Sequence, residues 1–332
     1  MVVSLASTRR VALALPVCAA LPRPAAAQQA AWALFKSRHL AADGRVVDDG
    51  NGGISHSEGQ SWALFLAAKL DDRAAFLRVL SWTQANLARR ADALLAWRWR
   101  PGLGVDDLNN ATDADLYRAW ALALAEERWP GEGHGAAARA VARDILRLTV
   151  RRVGGRHLLL PGSWGFEGPA HLDINPSYYV FPAFAALDRL LPDPAWAALR
   201  ADGLSMLADT AAGAWGLPPD WVRVPRAAGP LLNVPGRAPR FGYDAVRVPL
   251  HLLWAGEAMH PAARAAHAFW HAPSHPFMPA WVDLRDGRTS PYPAGPGVRS
   301  IAARLAGAAP EPGHLRGRYY DLALRLLAGC EA

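Results

Sequence analysis

Cysteine is almost missing from this chain of 332 residues, which holds only Cys18 and Cys330. Cys18 lies in an N-terminal stretch with the pattern of an export leader, so the remainder would keep one cysteine and no internal disulfide. Stability must then come from a buried core. Lysine is as scarce, with Lys36 and Lys69 alone, and arginine carries nearly all of the positive charge. No basic block with interleaved aromatics occurs, which argues against nucleic acid as a partner. Runs of Val, Ile and Thr are few while Ala, Leu and Arg recur, so helix is favoured over sheet. The signatures of several enzyme classes are also missing. His56-Ser57-Glu58 lacks the His-Glu-x-x-His spacing of a zinc site and the other histidines are scattered, so no metal or other cofactor is expected. Gly50-Asn51-Gly52-Gly53 lacks the Lys-Ser/Thr pair of a phosphate loop, and no Gly-x-Ser-x-Gly elbow marks a serine hydrolase.

What is present is a hydrophobic content of 52%, enough for a sizeable core in a chain of this length. Residues 1–27 read as a signal peptide: Arg9-Arg10, an apolar stretch from Val11 to Leu21, and Ala25-Ala26-Ala27 as the cleavage site. That apolar stretch is too short for a permanent span, so export to the periplasm or beyond is expected, without stable membrane insertion. Ser7-Thr8-Arg9-Arg10 leaves the choice of Sec or twin-arginine export open. The leader has three arginines and no acid, so the rest of the chain is only mildly basic.

From about residue 30, apolar helix-like stretches alternate with Gly/Pro-rich connections, which predicts an all-α chain. The expected helices are 31–40, 57–70, 74–88, 113–127, 136–150, 177–190, 195–211, 246–259, 262–271, 298–306 and 315–328. Residues 28–332 would form one catalytic domain, with 218–240 and 273–296 as ordered loops over a cleft.

Three short segments carry the chemistry. Ser57-x-x-Gln60 has capping-box spacing, with Ser57 as the cap and Glu58 in the first turn. Thr112-x-x-Asp115 repeats the pattern, giving Asp115 a structural role and leaving Asp113 free. Asp244 stands at the entrance of the helix that carries Pro249, with Arg247 three residues on to hold it ionised. An acid in a first helical turn also simply complements the macrodipole, so each segment alone has a structural explanation. Together they offer a proton donor, a base for water and a neighbour that sets their charge, as glycosidic hydrolysis requires.

The longer patterns resemble the bacterial endoglucanases of glycoside hydrolase family 8. Ala111-Thr112-Asp113-Ala114-Asp115 is followed by Ala119, Ala121-Leu122, Ala125 and Trp129, in the family's manner. Arg118 departs from it, standing where an apolar residue is expected. Tyr243-Asp244-Ala245-Val246-Arg247, Asn175-Pro176-Ser177-Tyr178 and Tyr319-Tyr320-Asp321 look like further family segments, so the resemblance spans nearly the whole chain. It implies a toroid of six helical hairpins, the (α/α)6 barrel. It implies Glu58 as general acid, Asp244 as general base and Asp113 as sugar ligand and charge neighbour, in an inverting endo-β-1,4-glucanase. Tyr178 would point to the centre, although a buried tyrosine at a helix start explains it as well.

Of the 14 tryptophans, Trp97 or Trp99 and Trp221 are the candidates for stacking on pyranose faces, with Arg247 beside them as a further substrate contact. The implied partner is a β-1,4-linked glucan chain met by a monomer. The resemblance reaches the periplasmic cellulases that accompany bacterial cellulose synthesis, which would place the chain beside a cellulose-synthesis apparatus. The same fold with another polymer (xylan, chitosan or mixed-linkage glucan) stays open, as does an inactive glycan-binding protein.

Overall fold

The computed structural model describes residues 26–308 and 317–331; the leader segment up to residue 25 lies outside them. Eleven α-helices are present among the described residues: α1 (Ala26–His39), α2 (Ser57–Lys69), α3 (Arg73–Asn86), α4 (Thr112–Arg128), α5 (His134–Thr149), α6 (Phe181–Leu190), α7 (Pro194–Asp209), α8 (Val248–Trp254), α9 (Pro261–Trp270), α10 (Pro296–Leu305) and α11 (Tyr319–Ala328). Helices α2, α4, α6, α8, α10 and α11 pack side by side in that order, and α11 closes on α2. This closed inner ring, with α1, α3, α5, α7 and α9 outside it, is the (α/α)6 barrel. Among the described residues no outer helix follows α10, so five of the six outer positions are helical.

Burial separates the two layers. In α2 every residue from Gly59 to Ala68 is buried, because an inner helix meets protein on all sides. In α5 the buried positions after His134 and Gly135 of its first turn are Ala138, Val141, Ala142, Ile145 and Thr149, one stripe at helical spacing with arginines opposite. Inside the ring, Phe65 of α2 packs on Trp120 and Tyr117 of α4 at ring-centroid distances of 4.5 and 5.5 Å. Layer contact is close enough that a Cβ on Gly203 of α7 would lie 2.4 Å from the Tyr179 ring.

Short antiparallel strands occupy the connections. β1 (Ser55–His56), β2 (Arg98–Arg100) and β3 (Gly104–Asp107) form one sheet, with Ser55 opposite Trp99. β4 (Val150–Val153) pairs with β5 (Arg156–Leu159). β6 (His171–Ile174) pairs with β7 (Val222–Pro225), setting Ile174 against Val222 and so Asn175 near Trp221. β8 (Arg240–Phe241) pairs with β9 (Val282–Asp283).

Several boundaries differ from expectation. The helix predicted over 177–190 is a 3-10 turn at Pro176–Tyr178 followed by α6, which starts afresh with Pro182 in its first turn. The one predicted over 246–259 is a 3-10 turn at Ala245–Arg247 and then α8, which stops before Gly256 at φ +77°. Both predicted capping boxes are absent. The cap of α2 is His56, whose Nδ1 accepts from Gly59 N at 3.1 Å. Gln60 is drawn away: its Oε1 accepts from Val46 N, and its amide donates to Gly44 O and Thr83 Oγ1. At α4 the cap position is Ala111, and the Thr112 hydroxyl donates to Leu160 O at 2.7 Å. Buried partners outside the helix outcompeted the local ones in both places. No helix among the described residues is long and apolar enough to cross a membrane.

Candidate active site

All six inner helices open on one cleft of about 1060 Å³. Its lining takes Glu58 from the start of α2, Asp113 from α4, Tyr178 ahead of α6, and Asp244 and Arg247 ahead of α8. Val298 of α10 and Tyr319, Tyr320 and Asp321 of α11 complete the circle. Parallel packing of the inner ring thus gathers residues that the sequence scatters over more than 260 positions.

Arg247 sits at the centre. Its Nη1 binds Glu58 Oε2 in a short charge-assisted contact, and its Nη2 lies 3.4 Å from Asp113 Oδ2 and 3.1 Å from Asp244 Oδ1. The same Nη2 donates to Ser177 Oγ at 2.9 Å, and the guanidinium lies 5.6 Å from the Trp62 ring centroid. The arginine predicted to hold Asp244 therefore holds all three carboxylates. Its own positive charge is stabilised: burial opposes it, but Glu58, Asp113 and Asp244 outweigh burial.

The three acids differ in solvent access. Side-chain exposure is 3% for Asp113, 19% for Glu58 and 33% for Asp244. Burial first and the Glu58 charge second push the Asp113 carboxyl well above the ordinary range, against Arg247. One guanidinium meets three acids in this pocket, so Asp113, the most buried of them, is the one that resists ionisation. Asp244 is raised by burial, with Arg247 opposing.

The predicted aromatics divide. Trp97 and Tyr178 line the cleft. Trp99 is not among the lining residues: it packs edge-on against Trp82 at 5.5 Å in a satellite core under β2. Trp221 is likewise not among the lining residues: it stacks on Phe166 at 5.7 Å and is covered by the Arg237 guanidinium at 3.7 Å. Only the second of the two predicted loops reaches the cleft, through Ala280, Tyr292, Pro293 and Gly295.

Asp115 has a structural role, though not as a cap. Its Oδ1 accepts from Leu95 N at 3.1 Å and its Oδ2 from the Asn110 amide at 2.9 Å. Burial raises it to about 7 despite those bonds. Arg118, two-faced at its unexpected position, is buried and donates to Ala93 O at 2.8 Å.

Several contributors carry no local sequence signal. Tyr243 and Tyr292 line the cleft and meet hydroxyl to hydroxyl at 3.3 Å. Asp220 lies behind Asp244 and binds its loop. Only the pairing of β6 with β7 and of β8 with β9 brings these residues in, and short edge pairings of this kind leave no periodicity to read.

With this geometry in view, the comparison with known proteins is direct. Residues 5–329 match the model of glycosyl hydrolases family 8. A probable endoglucanase of Novacetimonas hansenii is 40% identical over 313 residues, covering 92% of this chain and 91% of that protein. An endoglucanase of Cellulomonas uda is 36% identical over 282 residues, 84% of this chain and 77% of that one. Among solved structures, an endo-beta-1,4-glucanase from Acetobacter xylinum superposes with a TM-score of 0.85 at 38% identity, over 92% of this chain and 97% of its own.

Proposed function

The chain belongs to the glycosyl hydrolases of family 8, and from that premise we propose that it is an exported endo-β-1,4-glucanase acting with inversion at the anomeric carbon. One observation carries the reading: three carboxylates of unequal solvent access meet at a single guanidinium in a long open cleft. Glu58 gives its proton to the glycosidic oxygen as the bond to the anomeric carbon breaks. Asp244, the most exposed of the three, takes a proton from the water that attacks the opposite ring face. Asp113 binds the sugar at the scission point and keeps a proton on the acid pair. Each turnover yields two shorter chains, one with a new reducing end of inverted configuration.

Arg247 reaches Glu58 through Nη1 and Asp244 through Nη2, so the two carboxylates meet the guanidinium at separate nitrogens. Inversion asks of such a pair a separation of roughly 6.5–9.5 Å, which leaves room for water, against about 5–5.5 Å in retaining enzymes. Trp97 offers a flat face for a pyranose ring, and Tyr178 a hydroxyl toward the scission point. The substrate is a β-1,4-glucan chain taken up by a monomer, and the setting is the periplasm or beyond, beside a cellulose-synthesis apparatus. The 38% identity to the endo-beta-1,4-glucanase of Acetobacter xylinum supports the glucan over xylan or chitosan.

Proton NMR of a fresh cello-oligosaccharide digest tests the mechanism. The α-anomer should appear first and the β-anomer grow in by mutarotation. Early β-anomer would mean a covalent intermediate and would remove the base role from Asp244.

A further inference from the structure

We propose that Asp220 is a positioning residue for the reaction, holding the loop that carries Asp244 in the geometry a general base needs. The inference rests on the reading of Asp244 as that base. Asp220 Oδ1 accepts three backbone N–H groups of one loop: Gly242 at 3.0 Å, Asp244 at 3.1 Å and Ala245 at 2.7 Å. Successive N–H groups converging on one oxygen form an anion nest, and the carboxylate that fills it locks the backbone on both sides of Asp244. Asp220 thus grips the base by its main chain.

Such a clamp is needed here because the Asp244 main chain has no long helix to hold it. It precedes a 3-10 turn, accepts no helix-capping bond, and is followed by a short helix. Gly242 completes the fit: a Cβ there would stand 2.6 Å from Asp220 Oδ2, and its φ is not in the left-handed region. Absence of a side chain at 242 therefore serves the approach of the Asp220 carboxylate, not a backbone requirement. The carboxyl of Asp220 is pushed up to about 7, by burial and then by the Asp244 charge, which is what two acids packed against one loop should show.

Two substitutions disturb the clamp by different routes. Asp220→Asn replaces the carboxyl acceptor by an amide that can never carry the charge the nest favours, and Gly242→Ala pushes the carboxyl off the nest without changing the group itself. A reacting group displaced by about 1 Å can lose on the order of 10²-fold in rate. Each variant should therefore lose about ten- to a hundredfold in kcat on cello-oligosaccharides, with KM within about twofold, since the sugar contacts are untouched. The loss should persist on a 2,4-dinitrophenyl cello-oligosaccharide, whose leaving group needs no proton but whose attacking water still needs a base. Asp244→Asn is the control, and circular dichroism checks folding. If both variants are folded and keep kcat within about twofold while Asp244→Asn is inactive, the clamp is refuted and the base reading stands. If Asp244→Asn itself keeps more than about a tenth of the rate, the base reading fails first. Loss through KM with kcat intact would equally overturn the proposal.

Discussion

The two sides of the cleft are built differently. On the side of Glu58 and Asp113 the acids sit in the first turns of two long, buried helices, α2 and α4. Those mouths are tied through one connecting segment: Asp115 binds Leu95 N, and two residues on Trp97 O accepts from Ser57 N at 2.9 Å. On the side of Asp244 the support is a 3-10 turn, a seven-residue helix and a carboxylate brought from the start of β7. The difference matches the tasks. A general acid must keep its proton, which burial beside a second acid favours even where two helix N-termini favour the anion. A base must meet water, and Asp244 is the acid with most exposure to it.

Leaving-group chemistry puts the largest stress on that division. Glu58→Gln and Asp244→Asn keep the shape of each side chain and remove proton transfer, so each should lower kcat on cello-oligosaccharides by about two to four orders of magnitude. On a 2,4-dinitrophenyl glycoside the two should part: Glu58→Gln recovers most of its rate and Asp244→Asn recovers little. Equal recovery would erase the distinction between the sides.

Legibility follows the same line. Glu58, Asp113 and Asp244 could be read because each lies at the start of an apolar helical stretch, and helix starts are local events. The ring itself was readable as many consecutive amphipathic or wholly apolar helices, while its closure needed the resemblance. The capping boxes were misread because Gln60, Thr112 and Asp115 found buried partners more than a dozen residues away. Trp99 and Trp221 lie in suggestive sequence surroundings, yet Trp99 packs on Trp82 and Trp221 on Phe166 and Arg237, contacts that no local pattern announces. Asp220 gave no sign at all, since its partners are backbone amides of another segment.

Asp115 sharpens the comparison at the level of stability. Burial holds its folded carboxyl at about 7, against roughly 3.9 in the unfolded chain. Between these values the folded state binds the proton that the unfolded state has released, so stability falls as pH rises. Its contribution is intact below about pH 4 and lost by pH 7, a change of at most about 4 kcal/mol. Asp115→Asn cannot titrate, so urea denaturation from pH 4 to 8 should show the variant gaining on the wild type as pH rises. A constant difference would mean that Arg118 and Arg90 keep Asp115 ionised in the folded state.

The smallest expected effect concerns Asp113, and it separates a charge neighbour from a mere helix-start residue. In the wild type Asp113 and Glu58 share a buried site, and repulsion between them delays loss of the pair's last proton. Asp113→Asn removes one charge and leaves the hydrogen-bonding outline nearly unchanged. The remaining acid then loses its proton more readily, so the alkaline limb of the kcat/KM profile should move down by about one pH unit. The acidic limb, set by Asp244 across the guanidinium, should move much less. The contrast between limbs is the informative reading, because general damage to the cleft would lower the plateau and leave both limbs in place. A shift of both limbs together would show that Arg247 couples all three acids as one titrating unit, and the two sides of the cleft would then not be electrostatically separate.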